Sequence, residues 1–584
     1  MSHSSSNSTP HGRLRSAAAL VAVVFLTAQC SEPDQAETKS GPGSTARLID
    51  VTESSGIDFV HDNGHRGPFY FPETVGSGVA VCDLDADGDL DVYALQCGIP
   101  PDSLAAAGEA DYAPTNQLFA GRGDGSFDDV TATSGAAAHS GYGMGVCAGD
   151  VNGDGLLDMF LTNTGPDALL INRGGLSFED TAAGTPLADP RWTTGCGFAD
   201  LDNDGHLDLV VCSYVDWSVG TEQECMAGGV PDYCHVSLYP SLSDRVWRGD
   251  GMGGFTDVTA KSDLGKRTGR GFGLALLDFD RDGDIDLYVA NDSVENHFYL
   301  NEGGELRDWT NESGAAYNLD GMSEAGMGVA AGDFDGNSVP DLIVTNFAGE
   351  SNTVYLNQNG GFFRDVSRQT GITSASRPAL GFGVVLEDFD RDGAMDLLVS
   401  NGHVLRNAGR EGSPWRFAQP DQLFRGNLGP TSLRFELWDA GDDVLALPRV
   451  GRGLATGDLN SDGKADLVML ASGEPLTVVE NQLALPESRW LKVRLHGSGS
   501  NTAAIGSMVA MDLNDKTTQR RWVQSGTGFL SQNDLSPLFG IPPKTRVSRV
   551  RVRWPDGTQT SVRVKGANKV IEITQGQESS DAGK

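Results

Sequence analysis

Asp83-Leu84-Asp85-Ala86-Asp87-Gly88-Asp89-Leu90-Asp91 places side-chain oxygens at alternate positions of one tight acidic turn. That spacing suits Ca²⁺, a hard cation that takes roughly 6–8 oxygen ligands. The same nine-residue form returns at Asp150, Asp200, Asp278, Asp333, Asp388 and Asp458. A unit that recurs along a chain signals a repeat fold.

Comparison of the seven copies assigns the ligands. Position 1 is always Asp (Asp83, Asp150, Asp200, Asp278, Asp333, Asp388, Asp458), and so is position 9 (Asp91, Asp158, Asp208, Asp286, Asp341, Asp396, Asp466). Position 3 is Asp85, Asn152, Asp202, Asp280, Asp335, Asp390 or Asn460. Position 5 is Asp87, Asp154, Asp204, Asp282, Asn337, Asp392 or Asp462. Every one of these offers an oxygen. Position 7 varies freely (Asp89, Leu156, His206, Asp284, Val339, Ala394, Lys464), so its backbone carbonyl is the expected ligand. Position 6 is Gly in six copies, where the chain turns sharply. The fifth copy has Ser338 followed by Pro340, which makes its turn the least regular and its calcium the least secure. The Glu that completes an EF-hand is absent, and the flanks read as strands. The expected cofactor is structural Ca²⁺, several ions and up to seven.

The chain has 584 residues and a formal charge of −37, and the seven loops hold 27 of its 80 acids. Seven dications would return +14 and leave about −23, still acidic and soluble. A blander reading makes the loops turn residues on a solvated acidic face. Seven copies with invariant ends outweigh it. Nucleic acid is a poor partner for so acidic a chain.

Arg13 and Arg15 precede an apolar run at residues 17–26, too short to span a membrane and typical of an export signal. Leu26-Thr27-Ala28-Gln29-Cys30 is similar to a bacterial lipobox, with Gln29 departing from the usual small residue. The expectation is an exported protein, either a lipoprotein acylated at Cys30 at the outer membrane or cell surface, or a secreted one. A lipid anchor would be its one membrane contact. Seven further cysteines follow. An oxidising compartment permits disulfides. Cys225 and Cys234 flank a loop in the long insertion of the third repeat and form the best pair. Cys82 with Cys97 is a weaker one. Cys147, Cys196 and Cys212 read as thiols buried in strands.

Each repeat carries more than its loop. The fifth runs through Gly326-Met327-Gly328-Val329-Ala330-Ala331-Gly332, the loop, Leu342-Ile343-Val344-Thr345-Asn346, Asn352-Thr353-Val354-Tyr355-Leu356-Asn357 and Phe362-Phe363-Arg364-Asp365-Val366. These are four short strands separated by turn signals. Their Gly-rich first strand suits a crowded centre. Seven such units predict an all-β fold, a seven-bladed β-propeller over residues 47–485, with a linear β-solenoid as runner-up. The seventh repeat lacks its fourth strand. Leu48-Ile49-Asp50-Val51-Thr52 is expected to supply it and close the ring.

After residue 486 the charge balance reverses, with 14 Lys/Arg and 6 Asp/Glu between Glu487 and Glu572. Candidate strands at 490–495, 507–512, 520–524, 547–554, 559–564 and 569–573 predict a small β-sandwich-like domain over residues 486–575. Residues 1–30 are read as the signal peptide, 31–46 as a polar linker and 576–584 as a disordered tail. Arg549, Arg551 and Arg553 share one strand face, opposite Val550, Val552 and Trp554. A solvated face is the plainer reading. Docking on the acidic propeller or an anionic polymer is the functional one.

The repeats resemble the FG-GAP or VCBS repeats of integrin α-chain propellers and bacterial surface proteins. Segments 326–333, Asn401-Gly402-His403-Val404 and 452–458 resemble the cartilage acidic protein 1 (CRTAC) family. Ser500-Asn501, Ala504-Ile505-Gly506, Gly526-Thr527-Gly528-Phe529-Leu530-Ser531-Gln532, Phe539-Gly540 and Trp554-Pro555-Asp556-Gly557 resemble an ASPIC/UnbV domain. The resemblance implies an exported, calcium-binding, non-enzymatic protein.

Arg122-Gly123-Asp124 and Arg248-Gly249-Asp250 spell an adhesion tripeptide, but both fall in turns where a blade puts Gly and Asp. His61 and His65 lie in a loop without other ligands, and His206 sits at the free loop position. His297 and His403 stand beside strand ends, near a central or top-face pocket. No nucleophile-elbow or phosphate-loop pattern is present. The expected function is a monomeric binding or adhesion module at the bacterial cell surface, engaging an extracellular protein or glycan. The rival is a propeller hydrolase or lyase acting on an extracellular polymer, its site in the central pocket or hidden in the loops of residues 216–248. No catalytic residue is assigned.

Overall fold

The computed structural model describes residues 48–98, 114–137, 141–410, 412–429, 432–439, 443–483, 485–577 and 581–582. The expected signal peptide, Cys30 and the linker lie outside the described residues.

The described residues contain seven four-stranded sheets. In the fifth, Val329–Gly332, Asp341–Val344, Thr353–Asn357 and Phe363–Asp365 pair in chain order, each antiparallel to the next. The acidic loops join first strands to second. In every sheet the residue before the loop faces loop position 9 across the ladder: Cys82 with Asp91, Gly149 with Asp158, Ala199 with Asp208, Leu277 with Asp286, Gly332 with Asp341, Glu387 with Asp396, Gly457 with Asp466. Position 9 is therefore already strand, which is why its side chain points back under the turn.

The first strands neighbour one another in a closed cycle, from Val79–Cys82 through Tyr142–Gly149, Thr193–Ala199, Gly271–Leu277, Val329–Gly332 and Gly381–Glu387 to Gly451–Gly457 and back. Apolar clusters fill the spaces between neighbouring sheets. Each sheet is covered on both faces, so its strands read as continuous apolar runs rather than alternating ones. Leu48–Asp50 pairs antiparallel with Thr477–Asn481 as the outermost strand of the seventh sheet, closing the ring as the sequence predicts.

The tail forms two sheets over one apolar core that includes Val493, Val509, Phe539, Val552 and Ile573. One is three-stranded, with Arg489–His496 central, antiparallel to Leu538–Ile541 and parallel to Lys569–Thr574. The other orders Thr518–Trp522, Met508–Leu513, Val547–Arg553, Gln559–Val564 and Asp581–Ala582. Two points differ from expectation. Leu538–Ile541 is a strand, hidden in the sequence by its four-residue length and its flanking Pro537 and Pro542. The expected disordered tail contributes Asp581–Ala582, which pairs with Arg563 and Val564. The open edge of Gln559–Val564 offers the unpaired backbone groups that make this favourable.

Cys225 and Cys234 form a disulfide, with Cα atoms 5.1 Å apart. Cys82 and Cys97 do not pair, and both are free and buried like Cys147, Cys196 and Cys212. Cys82 lies in a first strand, while Cys97 is held by His61, whose Nε2 is 3.2 Å from its sulfur, and by the Gly143 carbonyl.

Candidate metal centre

The seven loops share one hydrogen-bond plan. The position 5 amide donates to the position 3 side chain, as from Asp87 to Asp85 Oδ1 (3.2 Å) and Asp282 to Asp280 Oδ1 (3.0 Å). The position 7 amide donates to position 5, as from Leu156 to Asp154 Oδ1 (3.0 Å) and Val339 to Asn337 Oδ1 (2.8 Å). Position 9 clamps the loop with both oxygens. One accepts the position 2 amide and the other an amide from the third strand, as Asp91 does from Leu84 and Gly121 and Asp466 from Leu459 and Asn481.

Two residues in each loop have left-handed backbones, at positions 4 and 6. Position 4 is Ala86, Gly153, Asn203, Arg281, Gly336, Arg391 or Ser461, and position 6 is Gly in six loops and Ser338 in the fifth. Ser338 holds φ +77° and donates its amide to Asp333 Oδ2 at 3.1 Å, as Gly205 does to Asp200 at 3.0 Å. The fifth turn is thus built like the others, despite Ser338 and Pro340. The sequence reading missed position 4, although Gly153, Asn203 and Gly336 are residues suited to that conformation.

Carboxylate oxygens converge within 4.8 Å in five loops, at Asp83/Asp85/Asp87, Asp200/Asp202/Asp204, Asp278/Asp280/Asp282, Asp333/Asp335/Asp341 and Asp388/Asp390/Asp396. Positions 1 and 3 always meet. Position 9 joins them in the fifth and sixth loops, and position 5 in the other three. The second and seventh loops carry Asn152 and Asn460 at position 3 and gather fewer carboxylates.

The donor set fits a hard dication. Oδ1 of Asp83, Asp333 and Asp458 is buried without a hydrogen-bond partner. Burial pushes Asp91, Asp158 and Asp208 up to about 7 and Asp341 up to about 8, with neighbouring loop carboxylates adding to the shift. Crowded carboxylates in this state favour a positive charge among them.

The tail covers this face. Arg494 lies 3.5 Å from Asp83 and donates to the Gly88 carbonyl, Thr502 donates to Asp150 (2.5 Å), and Ser500 donates to the Gly205 carbonyl (3.1 Å). Arg553 pairs with Asp278 (2.5 Å) and Arg520 with Asp333 (3.2 Å). Gly393 packs on Gln519 and Pro542, and Gly463 on the Trp490 ring, where a Cβ would come within 2.1 Å. All seven loops touch the tail. Of the three arginines on the expected basic face, Arg553 docks, Arg551 pairs with Asp512 inside the tail, and Arg549 is exposed.

One tail segment enters the ring. The Val146 amide donates to the Leu530 carbonyl (3.1 Å), Val81 to Gln532 (2.9 Å) and Val329 to Gly528 (2.9 Å). Ser525 Oγ donates to the Ala148 carbonyl at 2.7 Å. Phe529 is fully buried between Phe272 and Phe382, with centroids 5.5 and 4.9 Å away. A Cβ on Gly78 would lie 1.6 Å from the Leu530 carbonyl oxygen. The Gly-rich first strands make room for this segment.

The opposite mouth is closed by Phe71, Trp192, Tyr214 and Tyr239. Arg452 is buried there with its guanidinium 3.9 Å from the Phe382 ring centroid, donating to the Thr74 and Gly402 carbonyls. Beside it His65 Nδ1 and the Tyr233 hydroxyl both meet Glu73 Oε2 at 2.7 Å. Burial depresses His61 to about 3 and His297 and His403 to about 4, so all three imidazoles are neutral. His206 Nδ1 is 2.8 Å from Ser500 Oγ, a tail contact rather than a ligand. In both Arg-Gly-Asp turns the arginine is engaged in its own blade, Arg122 with Asp128 and Arg248 with Asp202.

Residues 497–580 match the ASPIC and UnbV family. Residues 101–161, 150–211, 278–344 and 339–399 match an FG-GAP-like repeat, and 450–482 match the FG-GAP repeat. The chain is similar to cartilage acidic protein 1 of Mus musculus, 24% identical over 531 residues, covering 86% of this chain and 65% of that protein. The Xenopus tropicalis protein is also 24% identical, covering 86% of this chain and 74% of its own length. The chain spans 62% of the human protein. Among solved structures, an Agrocybe aegerita lectin described as recognising non-reducing terminal N-acetylglucosamine aligns at TM-score 0.37 and 16% identity, over 64% of this chain and 90% of the lectin. BBS1N in complex with ARL6DN aligns at TM-score 0.39 and 10% identity, over 74% of this chain and 97% of that one.

Proposed function

We propose that this FG-GAP repeat chain with an ASPIC/UnbV tail is an exported, monomeric, calcium-stabilised binding or adhesion module. It engages an extracellular protein or glycan at the bacterial surface through its tail-free face and carries out no chemistry. The observation that carries the reading is the filled axis. Where a propeller enzyme would keep its pocket, Phe529 and its neighbours occupy the centre and the aromatic cluster closes the far mouth. The side chains at positions 1, 3, 5 and 9 would hold Ca²⁺. Bound there, Ca²⁺ supplies the positive charge that lets these carboxylates share one turn. Export is supported by the Arg13–Arg15 signal pattern and by the disulfide in the third-repeat insertion.

A second reading, a hydrolase or lyase, is favoured by one observation. His65 is oriented by the buried Glu73 on the tail-free face. A glycan array and a panel of polysaccharide substrates, run on the full chain in millimolar Ca²⁺, separate the two. Binding without turnover supports the module. Turnover that His65→Gln abolishes replaces it with the enzyme.

A further inference from the structure

The tail does not touch the loops in one chemical way. At the first, fourth and fifth loops a guanidinium faces the position 1 carboxylate: Arg494 at Asp83, Arg553 at Asp278, Arg520 at Asp333. At the second loop the same position meets a hydroxyl, Thr502 on Asp150 Oδ2. In the third the tail reaches a carbonyl through Ser500. In the sixth and seventh it packs Pro542 and Trp490 on the position 6 glycines, with Lys492 acting electrostatically on Asp458. Blade cations stand at two loops as well, Arg248 at Asp202 in the third and Arg425 at Asp390 and Asp392 in the sixth. At Asp83 and Asp333 the tail arginine takes Oδ2, while Oδ1 is buried and unpartnered.

We propose that Arg494, Arg520 and Arg553 are tethered counter-ions that weaken calcium binding at the three loops they face, the first, fourth and fifth. The inference rests on the calcium reading of the loops. A guanidinium within ion-pair reach of a ligand carboxylate lies within several ångströms of any cation bound there. In a partly desolvated site that repulsion is strong. It also withdraws charge from the carboxylate the cation needs. A hydroxyl donor such as Thr502 carries no net charge and imposes no such penalty. Linkage is reciprocal, so calcium at the three loops relaxes the tail's electrostatic grip, and the uncharged contacts of residues 525–532 retain the tail in the ring.

Calcium titration of the full chain against a chromophoric chelator tests this. The Arg494→Gln, Arg520→Gln, Arg553→Gln triple variant should bind calcium at three of its sites about tenfold more tightly than the parent does. Thr502→Lys should weaken one site about tenfold. Arg549→Gln removes an equal charge from the exposed part of the same strand as Arg553 and should move the curve less than about twofold. An unchanged or weaker titration in the triple variant overturns the proposal, and so does a shift of equal size in Arg549→Gln. Should the triple variant lose its tail contacts, Thr502→Lys decides alone, and unaltered binding there refutes the proposal. A parent that takes up no calcium instead defeats the calcium reading itself, which keeps the two failures apart.

Discussion

The two faces of the ring follow different rules. The loop face repeats one hydrogen-bond plan seven times, with left-handed residues at the same two positions and the same clamp at position 9. The opposite face repeats less: in six sheets an amide at the end of the second strand donates to the Asn or Asp just before the third, as Asn163 does to Asp167 and Asn291 to Asn296. The rest of it is one-off parts: the 3₁₀ turn Phe71–Thr74, the disulfide-bearing insertion, the buried Arg452, and exposed Met226, Leu319 and Met322. Repetition of this kind serves a need common to all blades, which is stability. The irregular face is where a chain can specialise without disturbing the ring.

If that division holds, removing calcium has the largest effect. An ion present at 100 times its dissociation constant stabilises by about 2.7 kcal/mol per site. EGTA should therefore lower the melting temperature by more than about 10 °C, and Ca²⁺ should restore it. A melt indifferent to both breaks the comparison at once. Next comes the axial segment. Phe529→Ala leaves a cavity between Phe272 and Phe382 and should cost about 3–5 kcal/mol in denaturant unfolding.

A smaller effect comes from His61 on the irregular face. Burial lowers its folded pKa to about 3, so the unfolded chain takes up the proton first. Its contribution is intact above about pH 6.5 and is lost as pH falls toward 3. Between pH 6.5 and 5 the parent should lose about 2 kcal/mol more than His61→Gln when both are calcium-saturated. The smallest effect belongs to the exposed residues. Leu319→Asp with Met322→Asp should shift stability by less than about 0.5 kcal/mol per site, yet abolish binding of whichever ligand the array identifies. Loss of stability without loss of binding would reverse the roles of the two faces.

What the sequence made legible follows the same line. The loops, the four-strand unit and the closing strand at Leu48–Asp50 were readable because seven copies vary around fixed positions. Position 4 escaped because Ala86, Arg281 and Arg391 hide a left-handed backbone behind ordinary side chains. The axial segment escaped for another reason. Gly526-Thr527-Gly528-Phe529-Leu530-Ser531-Gln532 has no period, and its partners Val81 and Val329 lie hundreds of residues away. The crowding at Gly78 and Gly273 was visible as glycine, but what crowds them was not. Arg553 could not be told from Arg549 by alternation alone, since both occupy the same strand face and only docking separates them.

The strand Leu48–Asp50 also sets an order of events. Among the described residues it is the first strand to emerge during synthesis, yet its partner Thr477–Asn481 appears more than four hundred residues later, and the axial segment later still. Until then the earliest strand has no ladder to join and the nascent ring keeps an open seam. Contacts so distant in sequence form slowly, and an unsealed sheet edge invites pairing with other chains. The ring is thus most vulnerable in the interval before Leu48–Asp50 meets Thr477–Asn481. Translocation into a calcium-rich compartment, where the loops can rigidify blade by blade, would shorten that interval.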